Sequence, residues 1–477
     1  MTSTTTAEPG AVRSWLGIPY ATADRFRSPK AVPFDPDLPY DRKGPAPLQA
    51  GDTSWLEADN GFSEDCLNLN VWAPADAGGK PLPVIVYVFG GGWMLGANTQ
   101  TTSNASGLAA TGRAIGVSLN YRLGPFGWLS LSQYGGALAE ASNLGLQDII
   151  AALQWVRENI ARFGGDPNNV TVTGHSAGAF SALSLLAAPS AEGLYHHLAA
   201  FSGMPSRQVP AWGAEERAHA VLTALGLQDD PEQLLAVDAD LLAKTMTNTQ
   251  SPDPGAAHGV DNEVIAITDD REQPNGVLTD HPMRVLESGQ HRDVDILFSS
   301  TTQETDWWVR HRTEDFDPGS IDALVAEFAI RNRIPRSRAR KIIAAYDIDG
   351  RTSVEVRGAL LTDFSFTLPQ TRGALAHAAA GGIAHLLVVG PVEGAHAVHG
   401  TEMYGIVGQA RPGASDTQIA RDTFVRDALL ALACGDTGAL WEPVTTVPTA
   451  QGIGDMPYDA IAHAKEVLET FSGVNRP

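Results

Sequence analysis

Short apolar runs bounded by proline and glycine alternate with segments of helical periodicity along most of the chain. Residues 83–89, Pro-Val-Ile-Val-Tyr-Val-Phe, are typical of a strand buried on both faces, and similar runs occupy 114–119, 170–173, 197–202, 294–298 and 383–389. Apolar residues recur at helical spacing in 147–163, 321–330, 337–346, 417–433 and 458–471. The alternation predicts an α/β fold in which helices cover both faces of a mostly parallel central sheet.

Two segments stand apart from this alternation. Residues 205–290 are rich in proline, aspartate and polar residues and lack clear strands, so we expect a cap-like excursion outside the sheet. Residues 1–10 have neither a basic start nor an apolar stretch, which favours a disordered tail over a secretory signal. The remainder, 11–477, is predicted to form one elaborated domain, and no apolar run approaches the roughly 18 residues of a membrane span.

The composition bears on the binding partners and on the cellular compartment of the protein. The formal net charge of −22 argues against a nucleic acid or an anionic membrane surface. The two cysteines, Cys66 and Cys434, lie far apart in the sequence, and a reduced, cytoplasmic setting is the simpler interpretation. The sequence does not indicate an oligomeric state.

A serine in a tight strand-to-helix turn is the strongest chemical signal. Residues 174–178 read Gly-His-Ser-Ala-Gly, directly after the apolar run 170–173 and ahead of a helix-like segment. In this context the glycines allow a sharp turn that exposes the Ser176 hydroxyl at a helix N-terminus. The pattern predicts a nucleophile whose developing oxyanion lies close to backbone N–H groups.

A glycine-rich loop follows the predicted strand 83–89 and can supply further donors. Residues 90–93 read Gly-Gly-Gly-Trp. The backbone N–H groups of Gly91 and Gly92, together with that of Ala177, would complete a three-donor oxyanion hole. The alternative is a plain flexible turn, but its place after a buried strand favours the functional interpretation.

The base and the acid cannot be chosen from spacing alone. His399 follows the strand-like run 383–389 by a short loop, with His396 as its near rival, and His175 is a poor base because neighbouring side chains in a tight turn point apart. Glu304 comes just after the run 294–298, and Asp306 is two residues further on.

Taken together, these segments resemble the type B carboxylesterase and lipase family, which includes cholinesterases and bacterial para-nitrobenzyl esterases. The resemblance is carried by the elbow and by residues 17–21 (Gly-Ile-Pro-Tyr-Ala), 25–26 (Arg-Phe), 63–71 (Ser-Glu-Asp-Cys-Leu-Asn-Leu-Asn-Val), 120–127 (Asn-Tyr-Arg-Leu-Gly-Pro-Phe-Gly), 163–167 (Phe-Gly-Gly-Asp-Pro) and 399–402 (His-Gly-Thr-Glu). The family implies an α/β-hydrolase fold, to which the excursion at 205–290 adds cap-like insertions, and no cofactor. No metal site is predicted.

The resemblance also assigns roles. It implies a triad of Ser176, Glu304 and His399, which resolves both open choices, and it matches Ser202 to a serine that often supports the acid. The chain departs from the family pattern at Phe89, where many members have histidine, at His175, where glutamate is usual, and at Gln303 and Thr305, where Asp and Gly are common.

A further departure concerns Cys66, whose disulfide partner in the family is absent. It is therefore expected to be a buried free thiol.

The leading hypothesis is a serine carboxylesterase that acts on small-molecule esters through an acyl-enzyme intermediate. Hydrolysis of a carbamate, an amide or a long-chain lipid ester by the same groups is the alternative. A catalytically silent binding module is a third, less favoured because all three triad residues are present. Aromatic residues beside the motifs suggest a substrate pocket, with Trp93 on the acyl side: Trp93, Trp128 and Trp307, with Phe126 and Trp308 nearby.

Overall fold

The computed structural model describes residues 10–76, 78–206, 208–250, 265–348 and 350–474. The tail expected over residues 1–10 therefore lies, except for Gly10, outside the described residues. Nine of the described strands form one sheet: β1 Val12–Pro19, β2 Asn68–Pro74, β3 Leu82–Val88, β4 Ile115–Leu119, β5 Gly165–His175, β6 His197–Phe201, β7 Asp295–Thr301, β8 Ala384–Val389 and β9 Ala450–Ile453.

The spatial order of the strands is β1-β2-β4-β3-β5-β6-β7-β8-β9. Strand β2 pairs antiparallel with β1 and β4, and every other neighbouring pair is parallel. The sheet is therefore mostly parallel, as the sequence pattern predicts. Its interior strands are short apolar runs because helices and loops shield them from water, and β4 and β8 are buried along their whole length.

The described α-helices are flanking elements that lie between or after these strands. They are α1 Ser106–Ala110, α2 Gly124–Trp128, α3 Leu144–Asn159, α4 Ala177–Ser184, α5 Ala211–Leu225, α6 Ala239–Asn248, α7 Pro282–Ser288, α8 Asp306–His311, α9 Thr313–Phe316, α10 Ile321–Arg331, α11 Arg336–Ile343, α12 Ser353–Thr362, α13 Leu368–Ala379, α14 Met403–Val407, α15 Asp416–Ala433 and α16 Ala460–Thr470. One turn of π-helix, Asp363–Thr367, joins α12 to α13.

Shorter elements complete the described part of the chain. The 3₁₀ helices are Thr101–Ser103, Ser132–Tyr134, Gly136–Leu138, Ile160–Phe163, Leu185–Ala187, Pro189–Ala191, Pro231–Ala236 and Thr437–Ala439. Three two-stranded sheets pair Ala21–Thr22 with Lys30–Ala31, Ala46–Pro47 with Phe62–Ser63, and Gln208–Pro210 with Ile267–Asp269.

The segment 205–290 contributes no strand to the nine-stranded sheet among its described residues. It holds α5, α6 and α7, while residues 251–264 fall outside the described part of the chain. Its strands Gln208–Pro210 and Ile267–Asp269, which the sequence pattern did not predict, pair only with each other. The cap-like excursion and the single-domain organisation remain predictions.

Both cysteines are free thiols, and Cys66 is buried as expected. Burial, reinforced by the negative charge of Asp148, raises the pKa of the Cys66 thiol far above its ordinary value. No helix in the described ranges combines the length and the apolar character that crossing a membrane requires.

Parallel pairing sets the place of the candidate site. Strands β5, β6, β7 and β8 are neighbours and run in the same direction, so the segments that follow them meet at one edge of the sheet. Ser176 follows β5, Ser202 follows β6, Glu304 follows β7 and His399 follows β8. The glycine-rich loop arrives at the same edge after β3, which pairs with β5.

Candidate active site

Ser176 occupies a strained backbone position between β5 and α4. Its φ of 54° and ψ of −125° lie in a region that residues with a side chain rarely adopt. The flanking glycines are required by close packing rather than by the backbone angles of the turn. A Cβ atom on Gly174 would lie 2.5 Å from the carbonyl carbon of Gly178, and one on Gly178 would lie 2.0 Å from the Val88 carbonyl oxygen. The serine bears the conformational strain, and the glycines allow strand, helix and β3 to approach closely.

The glycine-rich loop lies directly against this turn. A Cβ atom on Gly90 would come within 2.9 Å of the Ser176 Cβ, so only glycine fits there. The N–H groups of Gly91, Gly92 and Ala177 donate no hydrogen bond to any other described residue. Backbone donors left free beside a serine can receive an oxyanion.

His399 and Glu304 form a hydrogen-bonded pair. The Nδ1 atom of His399 lies 2.7 Å from Oε2 of Glu304, which is fully buried. The other carboxylate oxygen of Glu304 accepts the Thr301 N–H at 2.8 Å. The His399 ring is also packed against Trp308 and Phe366, with ring centroids 5.5 Å away in each case. These contacts fix the orientation of the imidazole, and its Nε2 atom has no hydrogen-bond partner within the described part of the chain.

The His399 ring contacts the serine turn at His175, the residue before Ser176. The centroids of the two imidazole rings are 4.6 Å apart. Within the described residues the Ser176 hydroxyl has no hydrogen bond, so no direct bond joins it to His399 here. Such catalytic hydrogen bonds often tighten only when a substrate is present. Burial and the nearby charge of His399 lower the pKa of His175 well below its ordinary value, so His175 is neutral.

The rival residues His396 and Asp306 pair with each other. The exposed His396 has its Nδ1 atom 2.6 Å from Asp306 Oδ2 and 2.8 Å from the Gln303 side chain, and it also contacts Arg310. Arg310 in turn donates to Asp306 at 2.8 Å.

Ser202 connects Glu304 to a second buried carboxyl group, that of Glu402. The Ser202 Oγ lies 2.7 Å from Glu304 Oε1 and 2.6 Å from Glu402 Oε1, and both glutamates are fully buried. Ser202 itself has a positive φ of 51° and donates its N–H to the Ser299 carbonyl oxygen. The remaining oxygen of Glu402 has no hydrogen-bond partner among the described residues.

A count of protons assigns the charge states of these groups. The Ser202 hydroxyl carries one hydrogen, so it can donate to only one carboxyl group and must accept from the other, which is therefore protonated. Glu304 accepts the Thr301 N–H and pairs with His399, which favours its anionic form. Burial and then the negative charge of Glu304 raise the pKa of Glu402 to about 7. The proton therefore belongs on Glu402, which donates to Ser202, which donates to Glu304.

The three tryptophans predicted to line a substrate pocket occupy different environments. Trp93 is fully buried, donates its indole N–H to Ser181 Oγ at 3.0 Å, and packs against Trp128. Trp128 is also buried and donates to the Arg122 carbonyl oxygen. Trp307 is exposed and stacks on His311. Their role in substrate binding remains a prediction; Trp308 is the tryptophan that contacts His399.

Sequence reasoning missed the role of Glu402 and the contact of Phe366 with His399. Glu402 stands in the same short motif as His399, but nothing in its neighbours distinguishes a buried carboxyl group from an exposed one. Phe366 lies in the π-helical turn, which apolar periodicity does not reveal.

Comparison with known proteins places the chain among ester hydrolases. A family model described as the carboxylesterase family matches residues 2–387, a range that ends before His399. The para-nitrobenzyl esterase of Bacillus subtilis (strain 168) is 35% identical over 367 residues, which cover 75% of this chain and 71% of that protein. An acetylcholinesterase of Leptinotarsa decemlineata is 30% identical over 352 residues, 64% of this chain and 53% of that protein.

Solved structures give the same result. A PNB esterase superimposes with a TM-score of 0.81 at 28% identity, covering 97% of this chain and 96% of the other. A thermophilic PNB esterase superimposes with a TM-score of 0.76 at 30% identity, covering 90% and 88% of the two chains. These matches confirm the predicted α/β-hydrolase fold and the family resemblance that the motifs indicated.

Proposed function

We propose a reaction for this chain, which belongs to the carboxylesterase family and is a carboxylic-ester hydrolase. It cleaves small-molecule esters through an acyl-enzyme formed on Ser176. One observation supports this above all: the strained serine lies against free backbone N–H groups, and the His399–Glu304 pair reaches the same turn. A nucleophile, a base with its orienting acid and oxyanion donors are the parts that acyl transfer requires.

In the first half of the reaction, the Ser176 Oγ attacks the ester carbonyl carbon while His399 Nε2 takes the hydroxyl proton. The carbonyl oxygen becomes an oxyanion and accepts hydrogen bonds from Gly91, Gly92 and Ala177. Each such donor contributes about 3 kcal/mol when it is positioned for the transition state rather than for the substrate. His399 then gives its proton to the departing alcohol oxygen, and the acyl-enzyme remains.

The second half repeats these roles with water. His399 removes a proton from water, whose oxygen attacks the acyl carbonyl, and the oxyanion again occupies the same three N–H groups. Collapse of the intermediate returns the proton to Ser176 Oγ and releases the carboxylic acid. No redox step and no further reactant enter the balance.

Glu304 stabilises the imidazolium that forms in both halves. Its carboxylate holds the Nδ1–H of His399 at 2.7 Å, which keeps Nε2 available as the base. The hydrogen bonds from Thr301 and Ser202 restrain this carboxylate, and protonated Glu402 restrains Ser202. Glu402 and Ser202 are positioning residues, because they act on the acid and do not touch the substrate.

Ser176→Ala tests the proposal. Wild-type protein is expected to hydrolyse p-nitrophenyl acetate and p-nitrobenzyl acetate and to gain the mass of a fluorophosphonate probe on the peptide that contains Ser176. The variant is expected to lose about 10⁴-fold or more in kcat and to remain unlabelled.

Ser181→Ala is a matched control, because Ser181 is a buried serine on α4 that bonds Trp93 and the Ala177 carbonyl. It is expected to keep labelling. Equal labelling of wild type and Ser176→Ala, or turnover that survives the substitution, would overturn the assignment.

A further inference from the structure

A second cavity, separate from the serine turn, lies behind the loop that carries Glu304. Its volume is about 610 Å³, within the range of small-molecule sites. Residues on both sides of Glu304, among them Gln303 and Thr305, form one wall, and helix α16 forms part of another. Neither Ser176 nor His399 lines it, and the oxyanion donors do not line it either.

A buried carboxylate, that of Asp363, lines this cavity. Asp363 is 4% exposed and accepts a hydrogen bond from the Tyr346 hydroxyl at 3.0 Å. Its other oxygen lies 2.8 Å from the Nε2 atom of His463, on α16. Each carboxylate oxygen keeps a further lone pair for an incoming donor.

Tyr458 and His463 line the same cavity. The Tyr458 ring is stacked on the His463 ring, with centroids 4.0 Å apart and planes 22° apart. Among the described residues the Tyr458 hydroxyl and the His463 Nδ1 atom have no hydrogen-bond partner. Apolar side chains such as Ala359 and Val467 complete the walls.

The charge balance of the lining favours a cation. Four carboxylates border the cavity (Asp306, Glu355, Asp363 and Glu466), against two guanidinium groups (Arg310 and Arg351) and two imidazoles (His396 and His463). Arg310 is bonded to Asp306, and Arg351 donates to the Tyr346 carbonyl oxygen. The cation nearest Asp363 is the His463 imidazole, whose pKa is raised because the hydrogen bond and charge of Asp363 outweigh the effect of burial. Deprotonation of His463 at alkaline pH leaves Asp363 as a carboxylate to which no guanidinium group of the described residues is bonded.

The cavity is also mechanically linked to the candidate active site. Asp363 begins the π-helical turn Asp363–Thr367, and Phe366 of the same turn packs on the His399 ring. Turns of this kind are uncommon and often occur at functional positions. On the other wall, Thr305 directly follows Glu304 and bonds the Gly358 carbonyl oxygen on α12. A ligand that shifts either wall therefore moves Phe366 or Glu304, the two residues that hold the His399 ring in place.

We propose that this cavity is a second ligand site that binds an organic ammonium ion with an apolar body, its charge at Asp363 and its body against Tyr458, Ala359 and Val467. Occupation of the site alters ester turnover through the π-helical turn. This consequence for turnover rests on the proposed function, whereas the binding itself does not.

Isothermal titration calorimetry with two probes tests the binding. 4-Phenylbutylamine and 5-phenylvalerate carry the same phenylbutyl group and opposite charges at about pH 8. Moderate salt screens the general attraction of a chain with a net charge of −22. The amine is expected to bind saturably, with a dissociation constant at least about tenfold lower than that of the carboxylate. No saturable amine binding, or equal affinity for both probes, would overturn the proposal.

Two variants locate the site. Asp363→Asn keeps the shape and removes the charge, and it is expected to weaken amine binding about tenfold without weakening carboxylate binding. Ala359→Trp fills the cavity from α12 and is expected to abolish binding of the amine. Asp427→Asn, on the exposed side of α15, is the matched control. Circular dichroism identifies any variant that fails to fold, and amine binding by Ala359→Trp at wild-type affinity would overturn the proposal.

A third measurement separates this site from the ester pocket. Protein labelled on Ser176 with a phosphonate is expected to bind the amine as well as unlabelled protein does, and the amine is expected to change kcat without acting as a purely competitive inhibitor. Loss of amine binding on labelling would assign the probe to the ester pocket and overturn the second site. Failure of the phosphonate to label would instead count against the proposed function and leave the calorimetry intact.

Discussion

Glu402→Gln tests whether the buried carboxyl group beside Ser202 holds a proton at neutral pH. Glutamine has the shape of a protonated glutamate, and its side-chain N–H can donate to Ser202 as the acid does, but it does not ionise. If Glu402 is the proton donor to Ser202, the substitution preserves the hydrogen bonds and removes one titration from the folded protein.

The size of the effect follows from the pKa. Burial and the charge of Glu304 raise the pKa of Glu402 from an ordinary 4.5 to about 7. A carboxyl group whose pKa is higher in the folded state contributes its full stabilisation below pH 4.5, and that contribution is lost as the pH rises to about 7. Between pH 5 and pH 8, this amounts to about 2–3 kcal/mol of unfolding free energy.

Urea unfolding followed by tryptophan fluorescence at several pH values measures this quantity, provided that refolding is checked at each pH. The free energy of wild type minus that of Glu402→Gln is expected to fall by about 2–3 kcal/mol from pH 5 to pH 8. Glu393→Gln is the matched control, because Glu393 is exposed and hydrogen-bonds Thr417 at the surface. Its effect is expected to stay small throughout.

A constant difference between wild type and Glu402→Gln across this range would refute the proton count. Glu402 would then be ionised at all these pH values, and the contact between Ser202 and the two carboxylates would need another explanation. A difference that grows with pH would have the wrong sign for a raised pKa and would refute it as well.

Three further predictions concern residues that the sequence singled out. In steady-state assays His399→Ala is expected to lower kcat about 10⁴-fold or more. His396→Ala is expected to lower kcat less than about threefold, because His396 pairs with Asp306 at the surface, and similar losses for the two variants would contradict the choice of base. Glu304→Gln is expected to lower kcat about 10³–10⁴-fold with little change in KM, whereas Asp306→Asn is expected to be mild, and the reverse pattern would make Asp306 the orienting acid. Cys66 is expected to react with a maleimide only after denaturation, because the thiol is buried and its pKa is raised; mass spectrometry of native protein would detect the contrary result as a labelled Cys66 peptide.

Most strands that are shielded on both sides could be predicted. The runs at 83–89, 114–119 and 294–298 match β3, β4 and β7 closely, because a strand covered on both faces must be apolar throughout. The edge strands β1 and β9 escaped prediction since they are only partly buried and carry polar residues or glycine. Strand β2 escaped as well, although it is buried along its whole length, because Asn68 and Asn70 interrupt its apolar run. Their pairing depends on a neighbouring strand that is distant in sequence.

The residues of the candidate site also differ in how far the sequence alone could predict them. Ser176 has a local signature, because the turn, the strand before it and the helix after it are contiguous in the sequence. His399 and Glu304 are 95 residues apart, and spacing could not select them over His396 and Asp306. The resemblance selected the pair that the structure brings together; the roles remain proposals. Burial of Glu402 and Asp363 depends on tertiary packing and leaves no mark on the adjoining residues.

The close contacts of the elbow glycines have a consequence for how this protein could acquire new specificities in the laboratory. No side chain fits at Gly90, Gly174 or Gly178, where a Cβ atom would lie within 2.5 Å of a neighbouring main-chain atom. Libraries that randomise these positions would therefore consist almost wholly of inactive, misfolded members. Trp307 on α8, which the sequence predicts to line the substrate pocket, offers room for variation, because its side chain is 43% exposed. Substrate range is accordingly expected to evolve from the α8 side, while the serine side stays invariant through successive rounds of selection.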